Sequence, residues 1–315
     1  MSGRTVTALR RLPITLTPVT RETIRSFLRR LATVNHLDEE DLADTVAVER
    51  WTSVAVAKRR FDVGNLAAVA GHSIETLTRA LPELAEPQKK FSEHRVIQAC
   101  PRCGRRHRGG TVLIHPVPHQ HVCVRHSIWL GTLGPDSSSW IQHPGPIDVS
   151  PLPEIRAAQR RHHRLVRRHG AAAAKSAVST AADTWERSNN SDGLGLTQWE
   201  RIRVLRPGTT SISQHDPLAF AVCYPEIIMM AGVLASPYWQ AVAAEPFADR
   251  AAFTEINRRL REGGERFGNV WPTKRHPLTY WAEGLRLDRQ RRDYAQNPPS
   301  WPRASAARTG SAVAL

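Results

Sequence analysis

Cys100-Pro-Arg-Cys103 is followed, after nineteen residues, by Cys123-Val-Arg-His126. Two residues between the members of each pair let a tight turn aim both side chains at one ion. Three thiolates and an imidazole form a soft-to-borderline donor set, and zinc takes four such ligands in a tetrahedron. Four protein ligands leave no open coordination position, so the expected Zn2+ site is structural and not catalytic. Assembly requires deprotonated thiols and a neutral imidazole, which couples the site to folding and to pH. Pro101 suits a rigid turn inside the first knuckle. The plainer alternative is three free core cysteines beside a chance histidine, and it leaves the paired spacing unexplained. His126 completes the second knuckle. His107, His115, His119 and His121 are rival fourth ligands, and His121 is the main competitor, two positions before Cys123.

A second chemistry lies in the distribution of charge. The 44 Lys+Arg residues exceed the 29 Asp+Glu residues by 15, and all but five of the bases are arginine. Residues 100–175 hold a net charge of +9 and nine of the fourteen histidines. Concentrated cationic charge asks for a polyanionic partner, nucleic acid being the commonest. Arg156, Arg160, Arg161, Arg164, Arg167 and Arg168, with His162, His163 and His169, fall on one predicted helix. Arg160, Arg164 and Arg167/Arg168 recur at i, i+4 and i+7/8, so they share a face that can follow a phosphate backbone. The ordinary meaning of such a run is a solvated helix face, but few acids lie near this one. Arg102, Arg105, Arg106 and Arg125, in and beside the knuckles, are further candidate nucleic-acid contacts.

A third pattern is Leu66, Ala67, Ala70, Gly71, Ile74, Leu77 and Leu81. Ala67 allows two helices to cross closely, Gly71 supplies the turn, and Ile74 and Leu77 are expected to face the first helix. This is helix-turn-helix spacing, which would present Ser73, Glu75, Thr76, Thr78 and Arg79 outward for base contact. The competing reading is an ordinary helical hairpin. Enzymatic motifs are thin. No glycine loop with its lysine is present for phosphate binding, and no spaced carboxylate set stands out for two-metal chemistry.

These residues need elements to position them. Hydrophobic residues make up 41% of 315, enough for real cores. Ile24, Phe27, Leu28, Leu31 and Ala32 form one apolar helical stripe, with Thr20 as the expected N-cap and Glu22 in the first turn. Residues 38–48 read as a second short helix and 95–131 as short strands and turns around the cysteines. Residues 154–185 read as one long helix, and 196–205, 217–244 and 249–262 as further helical stretches. The expected organisation is an N-terminal unit over 1–135, a linker over 136–153, a helical unit over 154–295 and a disordered tail over 296–315. Residues 217–235 are the longest apolar stretch, but Pro225 and Glu226 make them a poor membrane span and a better buried helix. Cys223 reads as a small core hydrophobe, and the tryptophans after residue 180 read as core aromatics before base-stacking ones. The first twenty residues show no apolar signal-peptide core, and the chain is expected in the cytoplasm, with the nucleoid.

The order of features resembles the TniQ family, transposition proteins related to TnsD. The resemblance begins at Leu12-Pro13, Pro18, Glu22 and the helix Ser26-Phe27-Leu28-Arg29-Arg30-Leu31-Ala32. It continues through Leu66 to Leu81 and into the two knuckles, its most specific part, and covers roughly the first 135 residues. It implies zinc ligands at Cys100, Cys103, Cys123 and His126. It also implies a role in target selection beside an ATPase regulator and a separate transposase, some members docking on RNA-guided complexes and others recognising DNA themselves. Some members carry a second cysteine cluster soon after the first, which this chain lacks. The spacer after the first knuckle is His-rich here, where aromatic residues are usual.

The expected fold is mainly α: a helical, helix-turn-helix-like N-terminal unit, a small zinc-ribbon-like β module and a helical C-terminal domain. The expected function is a non-enzymatic, zinc-containing target-selection factor. A zinc-stabilised transcription regulator and an adaptor in an RNA–protein complex are the alternatives.

Overall fold

The computed structural model describes residues 9–53, 56–85, 96–131, 146–189, 194–213, 216–245, 249–262 and 276–296. The chain is mainly helical with small antiparallel sheets. The N-terminal unit contains α1 (Ile24–Asn35), α2 (Glu39–Val46), the hairpin β1 (Ala47–Ser53) and β2 (Val56–Phe61), α3 (Val63–Ala70) and α4 (Ile74–Ala80). Its core is formed by Ile24, Phe27, Leu28 and Leu31 of α1 against Leu42, Val46, Leu66, Val69, Leu77 and Leu81.

α1 starts four residues after the expected cap. Thr23 is the N-cap, accepting from the Ser26 amide. The backbone before it is claimed by strand-like pairing: Glu22 bridges Ile114, and the Thr23 amide donates to Leu113 O. α2 is the expected second short helix, capped by Asp38, but it gives way to β1 at Ala47. No strand was expected there. Val48, Trp51 and Thr52 favour extended backbone, and the register runs from Ala47↔Phe61 to Ser53↔Val56.

The cysteine segment adds β3 (Ile97–Gln98) paired with β4 (Leu113–Ile114), and a three-stranded sheet of β5 (Val122–Cys123), β6 (Ile128–Trp129) and β7 (Ile147–Asp148). β7 comes from the expected linker. Val149 and Leu152 beyond it are buried, so residues 146–153 are built into the fold, not slung between two units. The rest of that segment and the expected tail beyond Gln296 lie outside the described residues.

α5 (Pro153–His169) and α6 (Ala171–Asn189) replace the single long helix expected. Gly170 separates them at φ 82° and ψ 160°, a backbone that a side chain rarely tolerates. α7 (Leu196–Leu205) precedes α8 (Pro217–Leu234) and α9 (Pro237–Ala244), which are split because Pro237 has no amide to continue α8. α10 (Asp249–Glu262) and α11 (Pro277–Gln296) follow. α8 is apolar and long enough to cross a membrane, yet nearly all of it is buried among its neighbours. Pro225 inside it has no amide to give Ala221 O. Close by, Arg201 donates to Val222 O at 2.6 Å and to the Glu226 carboxylate at 2.8 Å, neutralising the one acid of this helix.

Candidate metal centre and cationic faces

The two knuckles converge. Pro101–Gly104 is a single helical turn that carries Cys103 beside Cys100, and β5 leads into the turn that returns His126. His126 Nδ1 lies 3.4 Å from Cys100 Sγ, 3.2 Å from Cys103 Sγ and 3.6 Å from Cys123 Sγ, and the Cys103 and Cys123 sulfurs are 3.8 Å apart. All four donor atoms fall within 4.8 Å of one another. A tetrahedron with Zn–S near 2.3 Å and Zn–N near 2.0–2.1 Å has edges of about 3.8 Å between sulfurs and about 3.6 Å from sulfur to nitrogen. The donor set and its spacing therefore fit a tetrahedral, zinc-sized ion. Burial holds the Cys123 thiol up at about 12, the value of a site that gains its thiolates with a metal. Desolvation, with Arg125, Arg102 and Arg106 nearby, lowers the pKa of His126 and favours the neutral ring that a metal requires.

The rival histidines are occupied elsewhere. His115 is buried and its Nε2 meets Glu83 Oε1 at 2.6 Å. His121 is buried with its ring stacked 5.7 Å from Trp129 and edge-on to Tyr224 at 5.2 Å. His119 packs near His162 and His163. His107 feels the charges of Arg30, Glu22 and Arg106 beside α1.

Two polar clamps, neither foreseen, hold this module. Toward α1, the Arg30 guanidinium donates to both Glu22 oxygens at 2.7 Å and to Arg108 O at 3.0 Å, with both side chains at 1% exposure or less. Ser26 Oγ donates to Glu22 and accepts from the Leu113 amide. Gly109, at φ 87°, passes so close to α1 that a Cβ would stand 2.5 Å from Arg30 O. Toward α5, Gln159 Oε1 accepts from the His121 and Val122 amides at 2.8 and 2.9 Å, and its Nε2 donates to His119 O at 2.7 Å. Beside it His162 Nδ1 lies 2.9 Å from the Tyr224 hydroxyl. The signals were present but easily overlooked. Arg30 follows Phe27 by three on the apolar stripe, and Gln159 follows Ile155 by four on the inward face of α5.

The arginines of α5 divide cleanly from this inward face. Ile155, Ala158, Gln159 and His162 are buried, whereas Arg160, Arg161, Arg164, Arg167 and Arg168 are exposed and Arg156 is partly so. Among the described residues no carboxylate pairs with any of them. Arg102, Arg105, Arg106 and Arg125 are exposed around the metal cluster, and Arg102 is tied to Asp148 at 2.7 Å.

α3 and α4 form the expected helix pair. Gly71 closes α3 at φ 69°, and Ser73 caps α4, accepting from the Thr76 amide at 3.2 Å. Two expectations change. Ser73 is spent as a cap and its hydroxyl also meets Thr76 Oγ1. Ile74 is 52% exposed, because it is the first helical residue and only Leu77 reaches the core. Arg79 is exposed and paired with Glu75 one turn away.

Fold and site together define a class: a helical protein whose N-terminal bundle is joined to a module with a Cys3His cluster that could hold a metal ion. A family model described as TniQ matches residues 13–130, from the strand-like entry to α1 through the second knuckle. The match covers 118 of the 315 residues and makes this part of the chain similar to a TniQ domain. Comparison with curated proteins and with solved structures gave no significant match.

Proposed function

We propose that this chain is a non-enzymatic target-selection factor of DNA transposition that binds one structural Zn2+ and holds DNA through its cationic helix. Cys100, Cys103, Cys123 and His126 hold the ion, and its chemistry is cross-linking. It fixes the two knuckles so that Arg102, Arg105, Arg106 and Arg125 stand around them. Arg160, Arg164, Arg167 and Arg168 contact phosphates and position the protein without reading sequence. Thr76 and Arg79 on α4 are the candidates for base contact. Residues 1–135 act as the targeting unit and 154–295 as a helical unit docked on it. The partners are DNA, an ATPase regulator and a transposase, in the cytoplasm at the nucleoid.

The observation that carries this reading is the unpaired arginine crest of α5, whose opposite face is clamped by Gln159 to the strand entering Cys123. These bonds tie the arginine-bearing helix to the strand that carries Cys123, which supports a joint role for the two. The test is duplex binding by the purified chain over a range of salt concentrations. Each phosphate contact contributes about −0.9 to the slope of log K against log salt, so three or four give a slope near −3. A flat dependence, or no binding at low salt, refutes the reading.

A further inference from the structure

Beside the arginine crest, α5, α8, α9 and α10 enclose a groove of about 790 Å³. Its floor is apolar: Leu165 of α5, Met229 of α8 and Trp239 of α9 each leave part of their surface uncovered. Gly232, one turn beyond Met229, keeps the floor open, since a Cβ there would meet nothing within 4 Å. Arg161, Arg164, Arg167 and Arg168 of α5 also line it, with no carboxylate partner among the described residues. Arg259 of α10, across the groove, is already tied to Glu255 at 2.6 Å.

We infer that this groove is a docking site for an acidic, amphipathic segment of a protein partner. Four guanidinium groups without a carboxylate partner among the described residues, beside an apolar floor, are complementary to carboxylates flanking apolar anchors, the arrangement of a helix laid in a groove. A DNA duplex does not fit this chemistry. It can ride on the convex Arg160 side of α5, but its surface offers phosphate where the floor offers Met229 and Leu165. A single strand needs flat platforms for successive bases, and among the described lining residues only Trp239 and His169 carry aromatic rings. Methionine and leucine suit side-chain anchors of varied shape. The inference concerns a protein partner; Arg164, Arg167 and Arg168 also belong to the proposed phosphate face, so the segment and a duplex would compete for them.

A peptide library displayed against the full chain supplies the probe, and the most enriched peptide is synthesised for titration. The expected peptides pair Asp or Glu with Leu, Phe or Trp. Gly232→Phe, which fills the groove and removes no charge, should weaken the synthesised peptide at least tenfold, as should Arg161→Glu with Arg168→Glu. Gly232→Ala, compatible with the helix and smaller than the space, should bind as the parent does and serves as the folding control. If Gly232→Phe does not fold, Met229→Glu takes its place. Duplex binding should be unchanged in Gly232→Phe. Enriched peptides without acids, or equal binding by the filled groove, overturn the inference. So does competition by oligo-dT that shows the same sensitivity to Gly232→Phe, which would make a nucleic-acid strand the occupant. Self-association of the parent that Gly232→Phe abolishes would assign the groove to a second copy.

Discussion

Cys103 and Arg30 belong to the same module, one in the cluster that could hold a metal ion and one paired with a buried carboxylate. Structural zinc contributes folding free energy directly. Cys103→Ser should therefore lose the metal and destabilise the chain by several kcal/mol, read as zinc content by elemental analysis and as the urea midpoint. Folded parent protein without zinc would refute the site. Metal lost from His121→Ala but kept by His126→Ala would reassign the fourth ligand. Arg30→Met removes the partner of Glu22, which is fully buried. Breaking a buried pair leaves an uncompensated charge and costs about 3–5 kcal/mol. Replacing Glu22 as well, by Met, should recover part of that loss, and a midpoint insensitive to Arg30→Met would show that the pair does not hold the module. Neither Glu22 nor Arg30 announced this role, since a charged residue next to an apolar stripe is normally solvated. Only the approach of Leu113 and Arg108 from residues 78 or more positions away turns them inward.

At the scale of elements, α4 and α5 present different chemistry. Among the described residues the exposed α5 arginines have no carboxylate partner, whereas Arg79 of α4 is held by Glu75. Arg164→Ala should weaken every duplex alike and reduce the salt slope by about one. Arg79→Ala should spare non-specific binding and reduce preference for the target, by about 1–3 kcal/mol if it meets a base edge. Binding curves for each variant on target and random duplexes at several salt concentrations check both. A preference that survives Arg79→Ala returns α3 and α4 to a core hairpin. The helices themselves were legible where the apolar repeat was unbroken, as in α1, α7 and α10. The breaks were not. Gly170 and Pro237 each divide a continuous apolar pattern, because a pattern records burial while a single residue's backbone limits decide where a helix ends.

At the scale of the whole molecule, a cluster of histidines seals the module against the C-terminal helices. His162 is 2% exposed, and burial, reinforced by His121, His119 and His163, lowers its pKa from 6.5 to about 3. The unfolded chain therefore binds more protons than the folded one between those values. Stability is full above pH 6.5 and falls as pH drops below it, by up to about 1.4 kcal/mol per pH unit from this group. Urea midpoints measured from pH 7 to pH 4 should decline, and His162→Gln should flatten part of that decline. An unchanged slope in that variant would remove His162 as its source.

The sequence by itself determined the metal ligands' pairing, the helical class and the location of the excess positive charge. Each is written in residue types at short, fixed spacing: two residues between ligands, three or four between helix neighbours. Tertiary structure alone decided which polar residues turn inward. It also decided that residues 146–153 join the module to the helices that follow. Spacing favours His126 over His121, since it completes the second knuckle. In the structure Trp129 and Tyr224 pack on the His121 ring while three sulfurs surround Nδ1 of His126. Gln159 becomes a clamp only when β5 is laid against α5. Such choices depend on contacts between distant segments, where an unpaired buried polar group costs more than most sequence preferences supply.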